Sequence, residues 1–120
     1  MPAESDFVKK IKIYLKSKNV WFIKYWAGND FTKAGIPDIL ACHKGEFIAI
    51  EVKAKTGKPS LLQIVTLRKI RDSGGRGILL YPKDWENFKN FIESTVDGAL
   101  WYIDNIKYQD EWFNKLQGVK

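Results

Sequence analysis

A chain of 120 residues, 45% hydrophobic and 28% charged, has the size and balance of one domain that buries a core of its own, which excludes a disordered body. The formal net charge of +6 favours a polyanionic partner, nucleic acid or an anionic surface. Cys42 stands alone and one histidine with one cysteine cannot complete a zinc site of the usual nitrogen and sulfur ligands, while Met1 to Asp6 offers no apolar stretch for export or membrane insertion, so a cytoplasmic protein without membrane contact is expected.

From Ala3 to Ser17, Phe7, Val8, Ile11 and Leu15 recur at helical spacing with Lys9, Lys10, Lys12 and Lys16 filling the other side. Glu4 and Asp6 suit the positive end of such a helix, and Asn19 closes it. Val20 to Trp26 is β-branched and aromatic and reads as a buried strand, followed by a polar loop from Gly28 to Gly35. Ile36 to Cys42 and Glu46 to Lys53 read as an antiparallel hairpin turned at His43-Lys44-Gly45. Thr56 to Pro59 breaks the chain, and Ser60 opens a helix that runs to about Arg71 and stops at Ser73-Gly74-Gly75. Gly77 to Tyr81 reads as a fourth strand and Pro82 to Glu93 as a third helix with Trp85, Phe88, Phe91 and Ile92 inward. Beyond Asp97-Gly98, Ala99 to Ile103 reads as an edge strand and Asp110 to Leu116 as a short helix. The expectation is a single α/β domain over residues 1–120, its core spanning about 4–95, with a central mixed sheet of four strands that holds the hairpin in the middle and is flanked by helices.

The hairpin carries the chemistry. With Lys44-Gly45 as a two-residue turn, facing positions sum to 89, so Asp38 lies across from Glu51 with side chains starting roughly 5 Å apart. Lys53 projects on the same face one pleat further on. Two carboxylates at that distance repel, and a divalent cation of the Mg²⁺ or Mn²⁺ type, which prefers hard oxygen ligands, answers that repulsion. The rest of the hairpin is apolar on both sides and is expected to be covered on both. The plainer alternative makes Glu51 to Lys53 a frayed strand end and Asp38 a turn carboxylate paired with Lys53.

Gly35-Ile36-Pro37-Asp38, then Ile50-Glu51-Val52-Lys53, then Ser60-x-x-Gln63 on the next helix resembles the PD-(D/E)XK nuclease superfamily, and within it the small stand-alone VRR-NUC proteins often carried by phages. The resemblance spans about Glu4 to Tyr81 and implies a restriction-endonuclease-like αβββαβ core. It implies Asp38 and Glu51 as metal ligands with the Val52 carbonyl as a third, and Lys53 as the group that orients the attacking water and offsets phosphate charge. It also implies a catalytic and metal-linked role for Glu4 at the start of the first helix, and a phosphate or Lys53 contact for Gln63. The implied activity is Mg²⁺- or Mn²⁺-dependent endonucleolytic hydrolysis of DNA in a bacterial or phage-infected cell, on branched DNA such as four-way junctions, by a homodimer that makes paired cuts. The alternatives are a nuclease of linear duplex or flap DNA, and a DNA-binding module without catalysis.

Each helper has a plainer role. Glu4 suits the helix dipole, and Ser60-x-x-Gln63 is a capping-box pattern in its own right. Lys24, Lys33, Lys55 and Lys58 flank the proposed site and suit a phosphate backbone, with Asn29 to Thr32 as a loop entering from the side, although solvated lysines need no partner. His43 at the hairpin turn reads as a surface residue, Cys42 as small core, and Trp21, Trp26 and Trp85 as core. The aromatic tail, Trp101 to Phe113, suits either a dimer contact or a cover for the domain's own edge.

Overall fold

In the computed structural model, which describes residues 3–25 and 34–118, the first helix, α1, spans Ala3–Ser17 and ends where Asn19 takes a left-handed conformation. A four-stranded sheet follows, built from β1 (Trp21–Lys24), β2 (Ile39–His43), β3 (Glu46–Val52) and β4 (Arg76–Leu80) in that spatial order. β2 runs antiparallel to both β1 and β3, and β4 runs parallel to β3 because helix α2 (Leu61–Asp72) carries the chain back across the sheet. The Tyr25-to-Asp38 connection holds the residues outside the description, so the expectations for Trp26, Asn29 to Thr32 and Lys33 lie outside the described residues.

The hairpin register is the expected one. Ile39 faces Ile50 and His43 faces Glu46, and the two turn residues Lys44 and Gly45 both take positive φ, the mirror-image turn whose twist matches the strands. β2 starts three residues later than the pattern suggests, since Pro37 lacks an amide hydrogen and holds Ile36 off the ladder.

One sheet face packs Ile39, Ala41, Ile48, Ile50, Ile78 and Leu80 against Phe7, Ile11 and Leu15 of α1 and against Phe88 and Ile92 of α3 (Trp85–Ile92), which follows a 3₁₀ turn at Pro82–Asp84. The opposite face is covered by α2, where Ile64 and Leu67 meet Leu79 and Tyr81. Among the described residues nothing covers its outer part, contrary to the expectation of a hairpin covered on both sides: Trp21 of β1 is 63% exposed, Phe47 of β3 is 45% exposed, and Cys42 between them is exposed as well. Trp21 and Cys42 are therefore surface residues and β1 a half-open edge strand, while Trp85 does pack with Tyr14 and Phe88.

The C-terminal segment corrects a second expectation. Instead of an edge strand and a short helix, Val96–Leu116 is one continuous helix, α4, capped by the Thr95 hydroxyl, which accepts a hydrogen bond from the Gly98 amide. Its polar middle, which resembles a connector in sequence, carries buried amides. Asn105 accepts from the Leu79 amide at 3.0 Å and donates to the Leu79 carbonyl at 2.8 Å, and Gln109 donates to the Gly77 carbonyl at 2.8 Å. These side chains take the place of a fifth strand along the edge of β4. Tyr108, Trp112 and Phe113 turn inward onto the α2 side and Trp101 and Tyr102 onto Phe91, so the aromatic tail covers the domain's own edge. Among the described residues no helix is long and apolar enough to cross a membrane.

Candidate active site

Asp38 sits one residue ahead of β2, held by its carbonyl, which accepts from the Tyr25 amide at 2.8 Å. One further step of the β2–β3 register sets it against Glu51. Just upstream, Gly35 lets the chain pass close against α2: its φ is +81°, and a β-carbon there would come within 2.6 Å of the Leu62 side chain.

The Asp38 carboxylate spans two strands. Its Oδ2 accepts a hydrogen bond from the Val52 amide at 2.8 Å, and its Oδ1 lies 3.9 Å from the Lys24 ammonium on β1. Glu51 is only 3% exposed, and its Oε2 lies 3.4 Å from Lys53 Nζ. Burial first, and the neighbouring Asp38 charge second, push the Glu51 carboxyl up to about 8, against the opposing pull of Lys53. Lys53 therefore does not by itself offset the burial of Glu51 beside a second carboxylate. Two carboxyl groups side by side are oxygen donors of the kind a hard divalent cation takes, and Asp38 and Glu51 are the residues that could hold one. The plainer pairing of Asp38 with Lys53 does not form: Lys53 pairs with Glu51, and Asp38 with Lys24.

The other expected residues fall at varying distances from this centre. Glu4 is half-buried at the head of α1 and lines a cleft of about 550 Å³ with Val8, Lys9, Lys12 and Lys24. It shares that cleft with Lys24, which in turn faces Asp38, and among the described residues no group of three or more Asp, Glu, His or Cys side chains is arranged to hold a metal. Gln63 closes a full capping box: its Oε1 accepts from the Ser60 backbone amide at 2.9 Å and its backbone amide donates to Ser60 Oγ at 3.1 Å. Lys55 and Lys58 are exposed on the segment that leaves Lys53. His43 ends β2 at the far end of the sheet, its Nε2 3.2 Å from the Ile92 carbonyl. In sequence Lys9 and Lys12 read as part of a solvated helix face; the stripe they share with Ser5 is the signal that separates them from Lys10.

Comparison of the sequence with models of known protein families and with curated proteins finds no match in either.

Proposed function

We propose that this protein is a divalent-metal-dependent endodeoxyribonuclease, with Asp38 and Glu51 holding the cation and Lys53 acting on the substrate phosphate. The observation that carries the reading is the Glu51 carboxyl buried beside the Asp38 carboxylate, with Lys53 at 3.4 Å from it. Asp38 also braces the Val52 amide, but that brace does not call for a second carboxyl buried beside it. When bound, Mg²⁺ or Mn²⁺ supplies Lewis acidity toward a phosphodiester oxygen and lowers the pKa of a coordinated water. The chain's own residues do the rest. Asp38 and Glu51 are held on adjacent strands at fixed register, and Val52 adds a backbone carbonyl beside them. Lys53 offsets charge building on the phosphate and orients the attacking water, and Lys24, Lys55 and Lys58 hold the flanking backbone without reading sequence. Gln63, its carbonyl engaged in the helix cap, keeps its amide hydrogens for a phosphate oxygen. Glu4 acts on this centre through the Lys24 cleft.

The finer reading adds the restriction-endonuclease-like family of the sequence resemblance and a preference for branched DNA cut by a homodimer. With the aromatic tail turned inward, a homodimer would draw on other exposed apolar residues, among them Val96, Leu100 and Ile103 of α4. The test is to incubate the protein with a labelled four-way junction and a linear duplex, with Mg²⁺, Mn²⁺ or EDTA, beside Asp38→Asn. Metal-dependent, paired cuts in the junction by the wild type alone are expected. Retention of DNA without cutting, with or without metal, would leave a binding module instead.

A further inference from the structure

α1 presents its lysines on more than one face, and the structure separates them. Lys10 lies over the Trp85 ring at 4.8 Å and Lys18 pairs with Glu93 at 3.3 Å, so both serve the packing of α1 on α3. Lys9, Lys12 and Lys16 fall on a different stripe, three and four residues apart, and among the described residues none of them forms an ion pair. Three ammonium groups in a row repel one another, and Glu4 in the cleft of Lys9 and Lys12 is a single carboxylate against them, so their placement favours an anionic partner that runs along the helix.

The stripe begins at the candidate active site. Lys9 and Lys12 line the same cleft as Lys24, and Lys24 stands 3.9 Å from the Asp38 carboxylate. The chain reverses at Asn19 between α1 and β1, so the head of α1 lies at the Asp38 end of the sheet and Lys16 leads away from it. At a rise of about 1.5 Å per residue, Lys9 to Lys16 extends roughly 10 Å, about the axial length of three phosphates on one strand of duplex DNA at roughly 3.4 Å each. A small ligand anion would use one such site; a row of this length matches a polymer.

We infer that Lys9, Lys12 and Lys16 form a backbone track on which one strand of a DNA arm lies after passing the Asp38–Glu51 centre, with Lys24 as the junction between track and site. The track rests on the nuclease reading for its direction, since the strand is taken to enter from the scissile phosphate, but its contacts are electrostatic and require no catalysis.

The test is binding of a labelled duplex in EDTA as a function of salt, so that no cutting intervenes. Wild type is compared with Lys9→Gln/Lys12→Gln/Lys16→Gln and with the charge-keeping arginine triple. A control triple, Lys44→Gln/Lys69→Gln/Lys107→Gln, removes the same charge at the hairpin turn, at the end of α2 and on α4. The track predicts that the stripe variant lowers the slope of log affinity against log salt by about 2 to 3, near 0.9 for each phosphate no longer neutralised, while the arginine and control triples keep the wild-type slope. Equal slopes for the stripe and control variants would overturn the track, as would a wild type that binds no duplex. Cutting of the same duplex and of a junction in Mn²⁺ is scored in parallel. A wild type whose binding depends on the stripe but which never cuts supports the track and removes the nuclease, whereas cutting unchanged by the stripe variant, with an unchanged slope, removes the track and keeps the nuclease.

Discussion

The Asp38 carboxylate accepts a hydrogen bond from the backbone amide of Val52 at 2.8 Å, so the acid on one strand braces the other strand between Glu51 and Lys53. The bond has a double consequence: Asp38 is both a candidate ligand and the acceptor that satisfies a buried amide.

Two substitutions separate these duties. Asp38→Asn keeps an oxygen that accepts from Val52, so the fold is expected to hold within about 1 kcal/mol, while metal-dependent cutting falls by roughly 100-fold or more. Asp38→Ala leaves the Val52 amide unpaired and is expected to cost about 1 to 3 kcal/mol in addition to the activity. Urea unfolding of both variants alongside cleavage assays checks the pair. Full cutting by Asp38→Asn would remove this carboxylate from the chemistry.

The Glu51 carboxyl, raised to about 8 by burial and by Asp38, makes the metal-free protein sensitive to pH in a defined direction. Between its ordinary value of 4.5 and about 8 the folded state holds a proton that the unfolded chain has released. Its contribution is therefore fully present below 4.5 and is lost as pH rises through about 8. In EDTA, the stability of wild type relative to Glu51→Gln is expected to fall with rising pH across that window, with a slope of up to about 1.4 kcal/mol per pH unit. Parallel stability curves for the two proteins would show that Glu51 is already ionised at neutral pH.

The parts of this arrangement that are legible in the sequence are those set by local geometry. A two-residue turn at Lys44-Gly45 determines which residues face each other, and from it the Asp38–Glu51 opposition follows without knowledge of the rest of the fold. Helix α1 is readable from its apolar spacing and α2 from the Ser60 cap for the same reason. What is not legible depends on partners distant in sequence. Trp21 and Cys42 read as core because their strands are apolar, yet no helix covers that half of the sheet among the described residues. Asn105 and Gln109 fall between the strand and the helix expected there, and only the open edge of β4, distant in sequence, gives their amides backbone partners.

Those amides carry their own prediction. Asn105→Ala leaves both the amide and the carbonyl of buried Leu79 without partners, so a loss of about 2 to 4 kcal/mol is expected, together with faster hydrogen exchange at the Leu79 amide. Metal binding at Asp38 and Glu51 should persist in the folded fraction, because the Leu79 strand edge lies on the far side of β4 from β2. Wild-type exchange at Leu79 in this variant would mean that the helix amides do not protect the edge.

Gln63 tests whether a cap and a substrate contact share one side chain. Its Oε1 is engaged with the Ser60 amide at 2.9 Å, a bond that a carboxylate makes equally well. Gln63→Glu is therefore expected to leave thermal stability near wild type while removing both amide donors and placing a negative charge where a phosphate oxygen approaches, so that cutting falls by about tenfold or more. Gln63→Ala removes cap and donors together and should lose about 1 kcal/mol of stability along with activity. If Gln63→Glu cuts as wild type does, the side chain is a helix cap and nothing more, and the phosphate must be held by Lys53 and the flanking lysines alone.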